Sequence, residues 1–373
     1  MTGPATGDRA EPAAAAAARP ATPETMAAAR LDLDSRSFGL HRVPVPRPGP
    51  GEVLIRVRAA GVCLSDVHVI DGTLRDIKTR NGERTVTLGH EVAGTVAEIG
   101  PGVPTVWQTG ARVCLWAGDR CGRCARCLYD TGWCLTPLTR GIHFDGGWAD
   151  YAVTHHRALV PVPDIIPFEQ AAILPDAVST PYQALLRQGG LRPGDSVGIW
   201  GAGGLGYHAI LLARLAGAAP IVAIDPLPPA RERARAAGAD HAFDPADPEL
   251  KKRVREATGG AGLNVAVDFV GHPTVRESAD GLLAANGRLV LVGMSPHSIE
   301  LAHGERFNIK QHQVLGNWGS EPDDLHRLVR LCAAGRLDMA RSVSELLPLT
   351  QAAEAVERLQ SKTGNPIRLV LTP

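Results

Sequence analysis

The chain has 373 residues, of which 39 are Lys or Arg and 39 are Asp or Glu. This length accommodates two ordinary domains, and the zero net charge provides no overall field that would attract nucleic acid or an anionic membrane. Because no apolar run approaches the length of a transmembrane helix, we expect a cytoplasmic protein with neither nucleic acid nor a membrane as a partner.

Residues 1–25 have the composition of a disordered tail. A run of alanines at positions 13–18 lies between Pro12 and Pro20, without aromatic or β-branched side chains. Such a segment cannot bury enough apolar surface to offset the entropy lost on ordering. A signal peptide is the alternative, but alanine is weakly hydrophobic and acidic residues flank the run. We expect ordered sequence from Met26, which is also an alternative start of the native chain.

Between about residues 50 and 155 the sequence predicts short strands separated by Gly and Pro. The β-type runs are residues 52–58, 92–99 and 148–153, and turns such as Gly100-Pro-Gly lie between them. This pattern is typical of an irregular, mostly antiparallel β unit.

From about Ser179 onward, strands and helices alternate. Thr180 and Pro181 predict a helix start, because a capping residue followed by Pro is favoured there. Further strands are predicted at residues 196–200, 221–224, 264–270 and 288–292, with helices between them. Such alternation predicts an α/β fold with a parallel, doubly wound sheet.

A glycine-rich loop separates the predicted strand 196–200 from an apolar helix at 205–216. The loop contains Gly201, Gly203, Gly204, Leu205 and Gly206. Glycines at this spacing permit a tight turn and close approach of the backbone to a pyrophosphate, which the helix N-terminus then faces. Because a glycine-rich turn without any ligand has the same pattern, a dinucleotide site needs a second indication.

Asp225 provides that indication, since it ends the next predicted strand, where an acid bonds the ribose hydroxyls of a dinucleotide. A carboxylate there repels a 2′-phosphate, and the next two residues, Pro226 and Leu227, offer no cation. The sequence therefore predicts NAD as the cofactor. Arg231, one helical turn further on, is a cation that could pair with a 2′-phosphate, so NADP is the alternative cofactor.

Four of the seven cysteines lie within fourteen residues: Cys121, Cys124, Cys127 and Cys134. Four thiolates at this spacing can surround one tetrahedral ion, and a closed all-sulfur shell suits a structural zinc ion. A disulfide pair is the alternative, which a reducing compartment disfavours. Cys114 and Cys332 are interpreted as core residues.

A second group of candidate ligands lies earlier in the chain. Cys63, Ser65, Asp66 and His68 form one segment, and Gly89-His-Glu follows about 25 residues later. A catalytic zinc ion needs about three protein ligands and one open position. Taken singly, a buried Cys or a lone His is more often structural.

Together these motifs resemble the zinc-dependent, medium-chain alcohol dehydrogenase family of the medium-chain dehydrogenase/reductase superfamily, from about residue 30 to the end. The resemblance implies a GroES-like catalytic domain over residues 26–180 and 319–373, with a zinc lobe at about 114–135. It also implies a Rossmann NAD-binding domain over residues 181–318.

The resemblance implies that Cys63 and His90 bind a catalytic zinc ion. The family usually places a Cys or Glu at the third ligand position, where this chain has Asp176. A carboxylate oxygen is an acceptable zinc ligand, so Asp176 is the expected third ligand and Glu91 is the alternative. The last spacing of the cysteine lobe, Cys127 to Cys134, is one residue shorter than the family pattern.

Further roles follow from the same resemblance. Ser65 bonds the substrate oxygen and begins a proton relay, the cofactor ribose continues it, and His68 passes the proton to solvent. Asp66 orients His90, and Glu91 approaches the metal transiently. The closing segment Arg368-Leu-Val-Leu matches the family, so Arg368 is expected to contact the cofactor pyrophosphate.

The expected reaction is the reversible oxidation of a secondary or cyclic alcohol by NAD, with two zinc ions per chain. Ser65 leaves more room than Thr, and Trp116, Ala117 and Met294 are expected to border an apolar pocket for the alcohol or ketone. A homodimer or homotetramer is expected. The alternatives are a zinc-independent NAD(P)H enoyl or quinone reductase and a non-catalytic dinucleotide-binding protein.

Overall fold

The structure is a computed structural model that describes residues 22–74, 76–129, 133–300 and 303–373. Most of the predicted tail, residues 1–21, therefore lies outside the described residues. Thr25, the last residue assigned to the tail from the sequence, is already the first residue of a strand and pairs with Pro44. Within the described ranges, no helix is both long and apolar enough to span a membrane.

The strands of the described residues are β1 (Thr25–Asp32), β2 (Phe38–Pro44), β3 (Glu52–Val62), β4 (Thr85–Thr87), β5 (Glu91–Ile99), β6 (Arg112–Leu115), β7 (Gly118–Asp119), β8 (Leu138–Thr139), β9 (Tyr151–His155), β10 (Leu159–Pro161), β11 (Val197–Trp200), β12 (Ile221–Ile224), β13 (His241–Phe243), β14 (Leu263–Asp268), β15 (Leu283–Leu291), β16 (Gln313–Gly316), β17 (Val343–Pro348) and β18 (Arg368–Thr372).

The α-helices are α1 (Leu64–Ile70), α2 (Ala125–Tyr129), α3 (Phe168–Ile173), α4 (Ser179–Tyr182), α5 (Gly204–Leu215), α6 (Pro228–Ala236), α7 (Leu250–Ala257), α8 (Pro273–Leu282), α9 (Gly304–Lys310), α10 (Pro322–Ala333) and α11 (Ala352–Gln360). Short 3₁₀ turns cover His156–Ala158 and Leu349–Gln351, and π-helical turns cover Leu174–Val178 and Gln183–Gln188.

The first part of the chain forms an irregular β unit, as its pattern predicts. Its main sheet has the order β10-β6-β5-β3-β18-β17. The first residues of β3 also pair with β9, and its last residues pair with β18. All pairs in this sheet are antiparallel except β17 with β18. Because β18 pairs with β3, the C-terminal segment returns to this unit.

The middle of the chain forms a six-stranded parallel sheet with the order β13-β12-β11-β14-β15-β16. The strand order reverses at β11, and ligands bind at such a switch point, outside the carboxyl ends of the strands. Gly201 directly follows β11 and Asp225 directly follows β12. The predicted α/β class, with a GroES-like unit and a doubly wound parallel sheet, is confirmed.

The predicted helix start at Thr180 and Pro181 is wrong. A helical run begins at Phe168 and continues to Gln188, with π-helical turns on both sides of α4. Pro lacks an N–H donor, but a π-turn already interrupts the usual ladder of hydrogen bonds, so Pro181 fits inside the run. Thr180 caps no helix, because its hydroxyl donates to Asp176 Oδ1 at 2.6 Å.

Candidate active site

A cleft of about 420 Å³ lies between the β unit and the parallel-sheet unit. Its wall includes both groups of residues that the sequence singles out. From the β unit come Cys63, Ser65, His68, His90 and Asp176. From the parallel sheet and its loops come Gly201, Gly203, Gly204, Leu205, Gly206 and Asp225, and from the C-terminal strand comes Arg368.

Cys63 and His90 are positioned by the same carboxylate. Cys63 lies between β3 and α1, and its N–H donates to Asp66 Oδ2 at 2.9 Å. His90 precedes β5, and its Nδ1 lies 3.3 Å from Asp66 Oδ1. Asp66 is fully buried and faces one side of the His90 ring, while Nε2 on the other side lies 3.4 Å from Asp176 Oδ2. The structure thus places Asp66 where it can orient His90.

Asp176 completes a cluster of three residues with Cys63 and His90, which we call the metal-type cluster. Its Oδ2 lies 3.3 Å from Cys63 Sγ and 3.4 Å from His90 Nε2. In a tetrahedral zinc site with ordinary bond lengths, ligand atoms of these types are about 3.4 to 3.6 Å apart. The sulfur, nitrogen and oxygen atoms therefore fit the edges of a zinc coordination shell.

Charge in this cluster also fits a bound cation. Burial opposes ionisation of Asp176, yet His90 and Arg368 hold the pKa of its carboxyl well below the usual range. Burial likewise opposes protonation of His90, but the carboxylates of Asp66 and Asp176 outweigh it and raise the pKa of the imidazole. A divalent ion would neutralise the converging carboxylate and thiolate in place of a proton.

Glu91 lies behind this cluster and is fully buried. Its Oε1 accepts from the Ala177 N–H at 2.9 Å and from Arg368 Nη2 at 2.7 Å. Its Oε2 has no partner among the described residues. Glu91 does not line the cleft, whereas Asp176 does. The arrangement therefore favours Asp176 over Glu91 as the third ligand of a metal ion open to substrate.

Arg368 is 2% exposed and ties this region to the glycine-rich loop. Besides Glu91, its Nη2 lies 3.6 Å from Asp176 Oδ2. A Cβ added to Gly204 would lie 3.2 Å from Arg368 Nη1. The contact with a cofactor pyrophosphate stays a prediction, and it is consistent with this position under the loop.

Ser65 and His68 share one face of α1, because they are three residues apart on a helix. Ser65 Oγ lies 3.6 Å from Cys63 Sγ. His68 Nδ1 is buried and has no hydrogen-bond partner in the described part of the chain. Both side chains line the cleft, and Ser65 lies beside the Cys63 thiol.

The four lobe cysteines converge on a second point. The Sγ atoms of Cys121 and Cys127 are 3.9 Å apart, those of Cys124 and Cys127 are 3.4 Å apart, and those of Cys124 and Cys134 are 4.0 Å apart. Edges of about 3.8 Å are expected for four sulfurs around zinc. All seven cysteines are free thiols, so the disulfide alternative is not what the structure contains.

Main-chain N–H donors favour the thiolate form of Cys121 and Cys124 in this lobe. The Arg123 N–H, followed by the Thr136 hydroxyl, lowers the pKa of the Cys121 thiol to about 5. A main-chain hydrogen bond from Leu135 is the main cause of the lowered pKa of the Cys124 thiol. Burial instead raises the pKa of Cys127 to about 12. A coordinated cation would deprotonate such a thiol outright.

The glycine-rich loop has the backbone conformation that only glycine adopts easily. Gly201 has φ of +87°, in the left-handed region. A Cβ at Gly206 would lie 1.7 Å from the Gly201 carbonyl oxygen, so the start of α5 packs directly against the loop. At Gly203, by contrast, a Cβ would meet nothing within 4 Å, because this residue faces the open cleft.

Asp225 sits beside this loop with both carboxylate oxygens held in place. Oδ2 accepts from the Ala202 N–H at 2.8 Å and Oδ1 from the Leu227 N–H at 2.9 Å. Arg231 does not turn toward the cleft: its Nη1 donates to the Asp225 and Pro226 carbonyls and pairs with Asp244 at 3.0 Å. The Arg231 guanidinium, which would favour NADP if it faced the cleft, is thus already paired within the protein.

Several pocket residues were missed by the sequence analysis. Trp116, Ala117 and Met294 line the cleft as expected, and so do Leu138, Ile142 and Trp318. These additional side chains come from separate segments without a shared motif. The large apolar residues in glycine-rich surroundings, such as Trp318 before Gly319, are the one signal that the sequence offers.

Comparisons with known proteins agree with this geometry. Residues 49–164 match the alcohol dehydrogenase GroES-like domain, and residues 204–334 match the zinc-binding dehydrogenase domain. The chain is 30% identical over 344 residues to the NAD-dependent alcohol dehydrogenase of Sulfurisphaera tokodaii, covering 90% of this chain and 97% of that one. It is 32% identical to the L-threonine 3-dehydrogenase of Pyrococcus horikoshii, covering 80% and 85%.

A solved structure gives the same result. The alcohol dehydrogenase of Aeropyrum pernix is 31% identical and superimposes with a TM-score of 0.82, covering 93% of this chain and all of the other. The chain belongs to the zinc-binding, medium-chain alcohol dehydrogenase family. It is an enzyme of the NAD-dependent alcohol dehydrogenase type, and the zinc-independent reductase alternative is not favoured.

Proposed function

We propose that this enzyme transfers hydride reversibly between a secondary or cyclic alcohol and NAD, giving a ketone or, from a primary alcohol, an aldehyde. One observation supports this most directly. Asp176 Oδ2 lies 3.3 Å from Cys63 Sγ and 3.4 Å from His90 Nε2, on the wall of the cleft that also contains the glycine-rich loop. Relatives named as NAD-dependent alcohol dehydrogenases support the same chemistry.

Two zinc ions per chain are proposed. Cys63, His90 and Asp176 would hold the catalytic ion, and the four lobe cysteines would hold a structural one. When bound, the catalytic zinc lowers the pKa of the alcohol hydroxyl, and NAD accepts the hydride. Three protein ligands would leave a fourth position for the substrate oxygen, as a catalytic site requires.

Residues of α1 manage the proton in this proposal. Ser65 lies beside the metal-type cluster; it accepts the alcohol proton as the alcohol is oxidised and releases its own hydroxyl proton toward His68. His68, half-buried on the same helix face, passes the proton toward solvent. Asp66 acts indirectly by orienting His90.

NAD is the proposed cofactor. Asp225 is fixed by two main-chain N–H groups and presents its remaining lone pairs to the ribose hydroxyls. The engagement of Arg231 with Asp244 supports the preference against a 2′-phosphate. Gly201, Gly203, Gly204, Leu205 and Gly206 are proposed to cradle the pyrophosphate, with Arg368 beside them.

The alcohol is proposed to be apolar. Trp116, Leu138, Ile142 and Trp318 line the cleft, and such a wall gains free energy by covering hydrocarbon. Arg120, a cation on the same wall, is paired with Glu321 at 2.7 Å. Neutral secondary or cyclic alcohols therefore suit the pocket better than small acids.

A homodimer or homotetramer in the cytoplasm is also proposed. The strand order places β16 at the edge of the described parallel sheet, and an edge strand offers backbone groups to a partner strand. Size-exclusion chromatography with light scattering tests this, and a monomer at micromolar concentration would contradict it.

The test of function is an NAD-reduction screen over cyclohexanol, 2-butanol, 1-butanol and sorbitol, with zinc measured on the same sample. We expect two zinc ions per chain and the highest kcat/KM for the first two alcohols. A zinc-free protein that oxidises NADPH with quinones would overturn the proposal.

A further inference from the structure

One wall of the cleft is built from a very small hairpin. In it β7 pairs with β8 through Gly118 with Thr139 and Asp119 with Leu138, and all four residues line the cleft. An isolated two-stranded hairpin is at best marginally stable in water, even when it is longer than this one. Contacts outside the hairpin must therefore help to hold this wall, and they include the Arg80–Asp119 ion pair and the Arg140 N–H donating to the Ala117 carbonyl at 2.9 Å.

The cysteine lobe lies between the two strands of this hairpin. Cys121 comes two residues after β7, and Cys134 comes four residues before β8. The Cys121 N–H approaches Cys134 Sγ at 3.5 Å, so the ends of the lobe meet where the hairpin ends. Trp133 and Cys134 also line the cleft. An ion that joins the four sulfurs would therefore tie β7 to β8.

Two polar contacts connect this hairpin to Ser320 and Glu321, which also line the cleft. Arg120, between β7 and Cys121, pairs with Glu321 at 2.7 Å. Trp116 Nε1, just before β7, donates to the Ser320 carbonyl at 2.8 Å. We call these two contacts the clasp.

The clasp leads on to the ligand segment. Ser320 Oγ donates to Ser179 Oγ at 2.8 Å, and Ser179 Oγ donates to the Pro175 carbonyl at 2.6 Å. Pro175 is adjacent to Asp176. A continuous set of contacts thus runs from the cysteine lobe, across the alcohol pocket, to the third ligand of the metal-type cluster.

We propose that the metal ion of the cysteine lobe positions the wall of the alcohol pocket through the clasp, and so determines affinity for the alcohol. This inference rests on the proposed function, because it takes the lobe as a zinc site and the cleft as the alcohol site. Its consequence is specific: loss of the lobe ion loosens the alcohol pocket while the NAD site, formed by the parallel sheet, is unaffected.

Three variants test the proposal with cyclohexanol as the probe. Cys124→Ser removes one lobe ligand that does not line the cleft. Arg120→Gln removes the ion pair of the clasp, keeps its Trp116–Ser320 hydrogen bond and leaves all four cysteines. Arg358→Gln is the matched control, since it breaks an ion pair of 2.6 Å with Glu345 on the surface.

We expect Cys124→Ser to lose one zinc ion per chain and to raise the KM for cyclohexanol roughly tenfold. Arg120→Gln is expected to keep both ions and to raise this KM roughly threefold. The KM for NAD should stay within about twofold in both variants, and Arg358→Gln should match the wild type.

Hydrogen exchange gives a readout that needs no turnover. In Cys124→Ser, residues 116–120 and 317–321 should exchange faster than in the wild type. Faster exchange confined to residues 121–137, with an unchanged KM for cyclohexanol in Arg120→Gln, would overturn the proposal. If Cys124→Ser does not fold, Arg120→Gln decides by both measurements.

Failure of the proposed function has a different signature. A wild-type protein with fewer than two zinc ions, or without NAD-linked oxidation of cyclohexanol, would refute that function. Hydrogen exchange of residues 317–321 in Arg120→Gln would still show whether the clasp positions the wall of the alcohol pocket. Unchanged exchange there would refute this role of the clasp.

Discussion

At the scale of single residues, Asp176 is the most informative side chain. Its Oδ1 accepts from the Thr180 hydroxyl at 2.6 Å, while Oδ2 faces Cys63 and His90. One oxygen thus fixes the side chain and the other remains for a metal ion. A carboxylate is a harder ligand than a thiolate, so a zinc ion held here is expected to be more Lewis acidic.

Replacement of this carboxylate tests the third ligand. Asp176→Ala leaves two protein ligands, so we expect zinc to fall from two ions to about one per chain and kcat/KM for cyclohexanol to fall at least about 100-fold. Metal analysis and steady-state kinetics measure both. Asp164→Ala is the control, because this aspartate is 96% exposed and should behave as wild type. Full zinc and full activity in Asp176→Ala would assign the ligand to Glu91.

His208 predicts a pH dependence of stability. It is fully buried in α5, its Nδ1 lies 2.6 Å from the Gly204 carbonyl, and its Nε2 lies 2.9 Å from Ser342 Oγ. The carbonyl accepts a hydrogen bond, so Nδ1 carries a proton. Burial, followed by the charge of Arg368, lowers the pKa of His208 to about 3.

Since this pKa is depressed, the unfolded chain binds a proton below pH about 6.5 that the folded chain refuses until pH about 3. Between pH 7 and pH 5 this costs about 2 kcal/mol of the free energy of unfolding. Urea unfolding at both pH values should show that His208→Gln loses about this much less than the wild type. Equal losses in the two proteins would show that the His208 ring is already charged at pH 5.

At the scale of elements, the start of α5 separates two roles of glycine. Gly206 is required by packing, since its Cβ would overlap the Gly201 carbonyl. Gly203 begins the helix with an extended backbone and faces the cleft. The two glycines belong to one motif, yet only the structure shows which contacts protein and which faces the ligand site.

Paired alanine variants test this division. Gly206→Ala should cost about 2 to 3 kcal/mol of stability through overpacking and weaken NAD binding as the loop shifts. Gly203→Ala should keep the wild-type melting temperature and raise the KM for NAD roughly tenfold, because its methyl group occupies pyrophosphate space. Thermal unfolding and NAD titration measure the pair. A destabilised Gly203→Ala with normal NAD binding would contradict this assignment.

The helical run from Phe168 to Gln188 shows what local pattern misses. Thr180 and Pro181 have the local features of a helix start, yet they lie inside the run. The π-helical turn Leu174–Val178 packs against α5, β5 and α10, and such turns are frequent at functional sites. Asp176 lies in one of them, so its position was decided by tertiary contacts.

At the scale of the whole molecule, the cleft lies between the GroES-like unit and the parallel sheet. NAD bound there would contact the glycine-rich loop and approach Arg368 of the other unit. A ligand that binds only the folded protein stabilises it by mass action. The cofactor is therefore expected to stabilise the whole chain.

Thermal shifts measure this effect and cofactor choice together. At 100 times its dissociation constant, NAD should add about 2.7 kcal/mol, which for 373 residues raises the melting temperature by about 3 °C. NADP at the same concentration is expected to raise it by less than about 1 °C, because Asp225 repels the 2′-phosphate. A larger shift with NADP would refute the assignment of Asp225 and the engaged state of Arg231.

The sequence by itself determined the fold class, the family and the candidate ligands. Alternating strands and helices, the glycine-rich loop with Asp225, and the two groups of cysteine and histidine are local patterns, and local spacing is enough to recognise them. Only the tertiary structure brought Asp176 Oδ2 within 3.4 Å of both Cys63 Sγ and His90 Nε2. It also decided that Arg231 turns to Asp244 and that the cysteine lobe borders the alcohol pocket. The physical reason is that these contacts join segments distant in the chain, whose meeting depends on the packing of the sheets and helices between them.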